Sequence, residues 1–324
     1  MKYFKIALAL ILTVIMLYVA RTNSRGRPEI VSHVEAGYTF QMTTVPKIVE
    51  HQSDRITLAV TGPAAPGTRV WFRTSQPADV PADNADAFAR VQMQPDPGSR
   101  GEYFTEVTAG RLGGRFYYYF ELTDSTGSRL ATFTVEGGAP FVLKYFGEVP
   151  KVVTLAHIAT IFATVFFIAL AAVSALSVLR GSGEVRLLTI HLFLAAVFAF
   201  LGGYVFGIPM NYFAFDVLWE GVPFGTDATD NKTQLLFVYL LFAVLSSLGT
   251  LTRGKLGRDI YSGKALGWVG LGAFAVMLFI YLIPHSIQFS STLTYAFCYS
   301  WIGVTALLYV VGYLRSGRIA GRMA

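Results

Sequence analysis

The chain has 324 residues and a net charge of +6. No basic cluster falls on a folded soluble face, so the charge gives no support to nucleic-acid binding. The single cysteine, Cys298, excludes an internal disulfide, a Cys-x-x-Cys-His haem attachment and a cysteine-ligated zinc or iron–sulfur site.

The first element is an apolar run over residues 6–20, preceded by Lys2 and Lys5. It is shorter than the ~20 residues that cross a bilayer, and it also fits the core of a signal peptide. Cleavage requires small residues before the scissile bond, and Tyr18 places a bulky ring there. We therefore expect residues 1–21 to form an uncleaved N-terminal anchor helix.

The next region, residues 45–145, alternates polar and apolar residues in short segments separated by glycine- and proline-rich turns. The predicted strands cover residues 56–60, 69–74, 88–93, 102–107, 115–122, 130–135 and 141–145. About seven strands at this spacing predict an antiparallel β-sandwich. We expect residues 28–148 to form this domain outside the cytoplasm, with a core that needs no disulfide.

Three segments carry a resemblance to a known fold. They are Arg69-Val-Trp-Phe-Arg, Phe88-Ala-Arg-Val-Gln-Met and Tyr117-Tyr-Tyr-Phe-Glu-Leu-Thr-Asp-Ser-Thr-Gly. The region resembles the fibronectin type III or immunoglobulin-like modules of exported bacterial proteins, over about 100 residues. For function, the resemblance implies no more than a spacer or a docking surface.

Alternation along residues 115–122 separates two faces. One face carries Phe116, Tyr118 and Phe120, and the other carries Tyr117, Tyr119 and Glu121. The simple interpretation is a core on the first face and an amphipathic cover on the second. The alternative is an aromatic platform on which a ligand stacks. We expect Trp71, on the strand at 69–74, to be largely buried.

After residue 150, long segments contain no Asp, Glu, Lys or Arg: residues 152–179, 187–215, 233–252 and 265–314. The last is about 50 residues long, enough for two crossings, and Pro284-His285-Ser286 supplies a polar break. The predicted fold is thus an α+β membrane protein with an anchor helix, an extracytoplasmic β-sandwich and a C-terminal five-helix transmembrane bundle. The bundle covers residues 152–315, and residues 316–324 form a basic cytoplasmic tail.

Cations mark one side of this bundle, because short cytoplasmic loops retain Lys and Arg. They are Lys2, Lys5, Arg180, Arg186, Arg253, Lys255, Arg258, Lys264, Arg315, Arg318 and Arg322. The opposite connections are acidic or uncharged. We therefore expect a multi-pass protein of the bacterial inner membrane with both termini in the cytoplasm and residues 22–150 in the periplasm.

Histidines are the conspicuous ionisable groups of the predicted spans. His157 and His285 fall at similar depth near the outer side, as axial ligation of haem b requires. The alternatives are simple hydrogen bonding at the interface and a quinone or proton-relay role. The second bundle helix carries a small-xxx-small ridge that favours close helix packing. Its members are Ala195, Ala199, Gly203 and Gly207.

The outer loop that follows the ridge is longer than a simple reversal requires. It supplies a candidate interaction surface beside His157 and His285, made of Asn211, Trp219, Glu220, Asp227 and Asp230. The alternative is that these groups cap the next helix and anchor the loop in the interface.

No hydrolase elbow, phosphate loop, dinucleotide glycine pattern or His-Glu-x-x-His motif occurs, so the sequence indicates no catalytic residues and no metal site. The first hypothesis is an interaction or scaffold subunit of a larger membrane complex. Its partners would be membrane lipids and other membrane or periplasmic subunits. The second is a b-type haem or quinone-reactive subunit of an electron-transfer complex.

Overall fold

A computed structural model describes residues 2–24, 28–45, 47–63, 67–75, 88–108, 112–113, 115–135, 137–283 and 290–323. The protein is mixed α/β, with two sheets and several long apolar helices. It divides into two compact units. The helical unit comprises Met1–Arg25, Pro150–Asn211 and Leu218–Ala324, and the sheet unit comprises Gly26–Val149 with Tyr212–Val217.

The sheet unit contains eleven described strands. They are β1 (Ile30–Glu35), β2 (Tyr38–Thr43), β3 (Lys47–Val49), β4 (Ser53–Thr61), β5 (Arg69–Ser75), β6 (Ala89–Gln92), β7 (Gln94–Pro95), β8 (Glu102–Thr108), β9 (Arg115–Thr123), β10 (Arg129–Phe133) and β11 (Phe141–Phe146). One sheet has the order β1-β2-β4-β8-β7. The other has the order β3-β11-β9-β5-β6, with β10 also paired to β9. Neighbouring strands are antiparallel except β3 and β11.

Each predicted strand is present, with ends that differ by a few residues. The hairpin of β1 and β2, which turns at Ala36 and Gly37, was not predicted. Both residues have positive φ, 52° and 82°. A two-residue turn of this handedness matches the twist of the strands it joins. The alternation Tyr38-Thr-Phe-Gln-Met-Thr was the available signal, since Tyr38, Phe40 and Met42 are buried.

One hydrophobic core is shared by side chains of both sheets. Phe40 and Leu58 come from the first sheet, and Phe72, Phe120 and Leu143 come from the second. All five are at most 2% exposed. Burial of their apolar surface is the main force that holds the unit together.

The alternation predicted for β9 is confirmed, because Phe116, Tyr118 and Phe120 are buried while Tyr117 and Tyr119 are not. The same burial raises the pKa of the Tyr118 phenol.

Trp71 is partly covered, but it lies outside the core. Its neighbours Val70 and Phe72 are 1% and 2% exposed and face the core. Trp71 therefore lies on the outer face of its sheet and is only partly buried. The Trp71 ring is partly covered because the Arg90 guanidinium lies 4.0 Å from the indole centroid.

The helical unit is built from α1 (Lys2–Ser24), α2 (Lys151–Leu179), α3 (Val185–Phe200), a π turn (Leu201–Val205), α4 (Gly207–Phe215), α5 (Ala228–Ser246), α6 (Leu248–Thr252), α7 (Gly263–Leu282) and α8 (Ser291–Met323). Helix α4 continues into residues that cluster with the sheet unit.

Five stretches of described helix are long and apolar enough to cross a membrane: Tyr3–Thr22, Lys151–Leu179, Val185–Phe215, Gly263–Leu282 and Ser291–Ser316. The predicted span at 233–252 is not among them. It is divided between α5 and α6, with Ser247 at the junction. Because α5 begins with a polar turn that holds Asp230 and Lys232, its apolar part is short.

Close packing of α5, α7 and the neighbouring helices depends on small residues. Tyr239 of α5 donates from its hydroxyl to the carbonyl of Val269 of α7, at 3.1 Å. A Cβ at Gly272 would overlap that hydroxyl. Helix α1 joins the bundle through Ala9, which is 0% exposed and packs with Ala169 and Leu170 of α2.

Candidate functional site

The site lies at the N-terminal end of α5, where Asp227 caps the helix. Its Oδ1 atom accepts hydrogen bonds from the backbone N–H groups of Thr229, at 2.8 Å, and Asp230, at 3.0 Å. An aspartate at this position satisfies amides that have no partner within the helix. The cap explains why α5 starts at Ala228, ahead of the apolar run that begins at Thr233.

Asp230 ties three segments of the helical unit together. Its Oδ1 accepts from Nδ2 of Asn211, at 2.8 Å, and its Oδ2 accepts from the backbone N–H of Glu220, at 2.7 Å. The side chain is buried, and burial raises the pKa of the carboxyl group while these donors act in the opposite direction. Both carboxylate oxygens are therefore engaged in holding the loop to α5.

Asn231 makes a second connection of the same kind. Its Oδ1 accepts from the backbone N–H of Val222, and its Nδ2 donates to the carbonyl of Asp227, both at 2.8 Å. Asp230 and Asn231 together fold residues 220–222 back onto the start of α5. The sequence indicated Asn231, with Asp227 and Asp230, as a group that could cap the next helix or bind a cation, and the structure shows it bonded to the loop backbone and the Asp227 carbonyl.

Trp219 packs its indole against the ring of Tyr204, with ring centroids 5.3 Å apart and planes within 16°. A Cβ at Gly221 would lie 2.8 Å from the same indole, so the loop backbone also approaches the ring closely. Trp219 is accordingly a packing residue of the loop, with part of its surface exposed.

Lys232 is a further buried charge that the sequence analysis did not select. Its Nζ donates to the backbone carbonyl of Ile283 at 2.8 Å, next to the C-terminal end of α7. A cation is favourable there, because the last carbonyls of a helix carry partial negative charge. Burial nevertheless lowers the pKa of Lys232 to about 8.

His157 of α2 contacts the π turn. Its Nδ1 lies 2.9 Å from the carbonyl oxygen of Gly202. Because a carbonyl only accepts, Nδ1 carries the proton and Nε2 of the neutral ring keeps its lone pair. In the π turn the N–H of Phe206 donates to Leu201, at 2.9 Å, rather than to Gly202. This shift directs the Gly202 carbonyl toward His157.

The predicted small-residue ridge lies partly inside the bundle. Ala195 and Ala199 are buried, as is Gly203. A Cβ at Gly203 would overlap the Cγ2 methyl of Thr233 in α5, so glycine is required for this approach of the two helices. At Gly207 a Cβ would lie 3.0 Å from the Gly202 carbonyl.

The structure therefore brings Asn211, Asp227, Asp230 and the backbone of Glu220 into one hydrogen-bonded cluster, which we call the α5 cap cluster. His157 lies against the π turn, whose Gly203 packs on α5. His285 lies outside the described residues, so its predicted pairing with His157 remains a prediction. Among the described residues, no group of three or more His, Cys, Asp or Glu is arranged to hold a metal ion.

No protein-family model matches the sequence, and no curated protein matches it.

Proposed function

We propose that the protein is an integral inner-membrane interaction subunit. In this proposal the helical unit anchors the chain with both termini in the cytoplasm. Residues 28–148 form a periplasmic β-sandwich that docks a partner protein. Support comes from the five apolar helices, from the cations on one side of the bundle and from the core shared by the two sheets.

The observation that carries the docking role is an arginine and aromatic network on the outer face of β5, β6 and β9. Arg73 and Arg90 both approach Glu121, with Nε to Oε2 distances of 3.6 and 3.9 Å. Trp71 stacks under Arg90 and donates from Nε1 to Thr123 Oγ1 at 2.9 Å. Trp, Tyr and Arg are the residues that most often dominate binding energy in protein interfaces.

The α5 cap cluster supports a structural interpretation of the outer loop. Its carboxylate and amide groups bind one another and the loop backbone, which fixes the loop rather than preparing it for catalysis. We therefore assign the docking surface to the outer sheet face. Asn211, Trp219, Glu220, Asp227 and Asp230 instead hold the outer loop in place within the helical unit.

Photocrosslinking in intact cells tests the docking role. Gln92 pairs with Trp71 across β5 and β6 and shares its face, so a photoreactive residue there should give a discrete crosslinked species. Thr57, on the outer face of the other sheet between buried Ile56 and Leu58, is the matched control. The species should disappear when Trp71 and Arg90 are both changed to alanine. Equal products at both positions, or none at Gln92, would contradict the proposal.

Reporter fusions test the orientation separately. Fusions at Arg180 and Gly254 should read as cytoplasmic and one at Thr226 as periplasmic. An exchanged pattern would place the sheet unit in the cytoplasm and remove the periplasmic partner.

The second candidate is a haem b or quinone-reactive subunit, favoured by the Nδ1–carbonyl bond of His157. That bond fixes the tautomer that presents Nε2, as in many metal-bound histidines. His157 and His285 would hold haem b, which would supply electron transfer. A Soret band that is present in the purified protein and lost in His157→Ala would support this function. No band in the wild-type protein would reject haem.

A further inference from the structure

The connection between α6 and α7, residues 253–262, is strongly basic. Arg253, Lys255 and Arg258 are exposed on it, and Lys264 follows in the first turn of α7. Asp259 is the single acidic residue between Arg253 and Lys264. We call residues 253–258 the basic loop.

Asp259 does not neutralise these cations, because its carboxylate turns toward α6. One oxygen accepts from the backbone N–H of Thr250, at 2.7 Å, and the other from the Thr250 hydroxyl. The remaining charge of the basic loop is therefore positive and faces outward.

The basic loop is held in a defined conformation. The N–H of Gly254 donates to the carbonyl of Gly249 at 2.8 Å, and the N–H of Leu256 donates to Thr252 Oγ1 at 3.2 Å. The N–H of Ile260 returns to the carbonyl of Ser246 at 3.0 Å. These bonds fix the backbone that carries the cations before any ligand arrives, which reduces the entropy lost on binding.

Helix α8 adds a second segment to this surface. The Arg258 guanidinium lies 4.7 Å from the Tyr313 ring centroid and donates to the Tyr313 carbonyl at 3.2 Å. Tyr261 donates to the carbonyl of Leu308 at 2.7 Å. Burial raises the pKa of the Tyr261 phenol, and the positive charge of Arg315 acts in the opposite direction. The cations of the basic loop and Arg315 of α8 therefore lie on the same part of the surface.

Two large apolar side chains are exposed beside these cations. Leu256 is 76% exposed at the tip of the loop, and Trp268 is 67% exposed in α7, one turn after Lys264. Exposed leucine among cations is unfavourable in water. At a bilayer interface, the same combination buries its apolar group among acyl chains while the cations meet anionic headgroups.

We propose that the basic loop, together with Lys264 and Arg315, is a binding site for anionic phospholipid headgroups, with Leu256 inserted below them. The site depends on the membrane placement described above but not on the docking role of the sheet unit. Its failure would therefore leave the docking experiment unaffected.

The test uses the full chain in a neutral detergent, titrated with phosphatidylglycerol or with phosphatidylcholine of the same acyl chains, with bound lipid counted by native mass spectrometry. Wild-type protein should prefer phosphatidylglycerol. Arg253→Gln with Lys255→Gln should weaken phosphatidylglycerol binding by about tenfold or more. The charge-keeping pair Arg253→Lys with Lys255→Arg should restore it. Leu256→Ser should weaken binding of both lipids.

Arg69→Gln with Arg100→Gln is the matched control, since it removes the same charge from exposed positions of the sheet unit and should leave lipid binding unchanged. The proposal is overturned if the Arg253 and Lys255 pair binds phosphatidylglycerol like the wild type. It is also overturned if inorganic phosphate competes at the same concentration as the lipid, because the loop would then be a simple anion site. Unchanged binding by Leu256→Ser would exclude the inserted side chain.

Discussion

The alternation of β9 predicts a large difference between two adjacent aromatic substitutions. Phe120 is 0% exposed, and its ring lies 5.8 Å from the rings of Phe72, Tyr118 and Phe133. Phe120→Ala removes this packing and leaves a cavity, so we expect a loss of about 3–5 kcal/mol in the free energy of unfolding.

Tyr119→Ala on the same strand is the matched control. Tyr119 lies on the outer face, where it meets Phe88 edge-on at 5.2 Å and accepts from Arg73 Nε at 3.3 Å. These contacts amount to about 1–2 kcal/mol. The loss in Phe120→Ala should therefore exceed that in Tyr119→Ala by about 1–4 kcal/mol.

Urea unfolding of residues 28–148 measures both variants, with Trp71 fluorescence and far-ultraviolet circular dichroism as probes. At a slope of about 1–3 kcal/mol per molar urea, the midpoint of Phe120→Ala should lie roughly 1 M below that of Tyr119→Ala. The wild-type fragment should show a β spectrum without any disulfide. Equal midpoints, or a lower midpoint for Tyr119→Ala, would refute the assignment of the two faces.

Three further outcomes are expected. Gly203→Ala should destabilise the helical unit by about 1–3 kcal/mol, because the new methyl group clashes with Thr233. Adding Thr233→Ser should restore most of the lost stability. If stability is not restored, the clash lies elsewhere. The pKa of Lys232 is about 8 in the folded protein and its ordinary value is 10.5, so between these pH values the unfolded chain binds more protons than the folded one. The thermal midpoint should therefore rise as the pH increases from 8 to 10.5. Lys232→Met should remove this rise. Trp71→Ala should cost about 1–3 kcal/mol in the urea assay followed by circular dichroism alone, through the lost Arg90 stacking and the lost bond to Thr123. A larger cost would indicate a core position.

Much of the fold was predictable because local patterns determine it. Alternating residues located the predicted strands, and charge-free runs located the described apolar helices that follow residue 150. Trp71 shows the limit of the method. Its aromatic character favoured burial, but the stronger constraint came from Val70 and Phe72, which take the inner face together.

The candidate site was less predictable, because its contacts join segments that are distant in sequence. Asp227 was interpretable as a helix cap, since capping is local. The bonds of Asp230 to Asn211 and of Lys232 to Ile283 depend on how the helices pack, so no residue spacing in the sequence predicts them. The π turn could not be predicted either, since Gly203 and Gly207 in the sequence indicate only a packing ridge.

The π turn at Leu201–Val205 lets the chain carry one extra residue without turning the rest of the helix. A π turn closes its hydrogen bond over five residues where an α turn closes it over four, so the added residue changes the direction of later side chains little. Deleting one residue there would return the Gly202 carbonyl to the helix and leave His157 without its acceptor. Asn211 would still face Asp230, so the α5 cap cluster would survive the loss of the His157 contact.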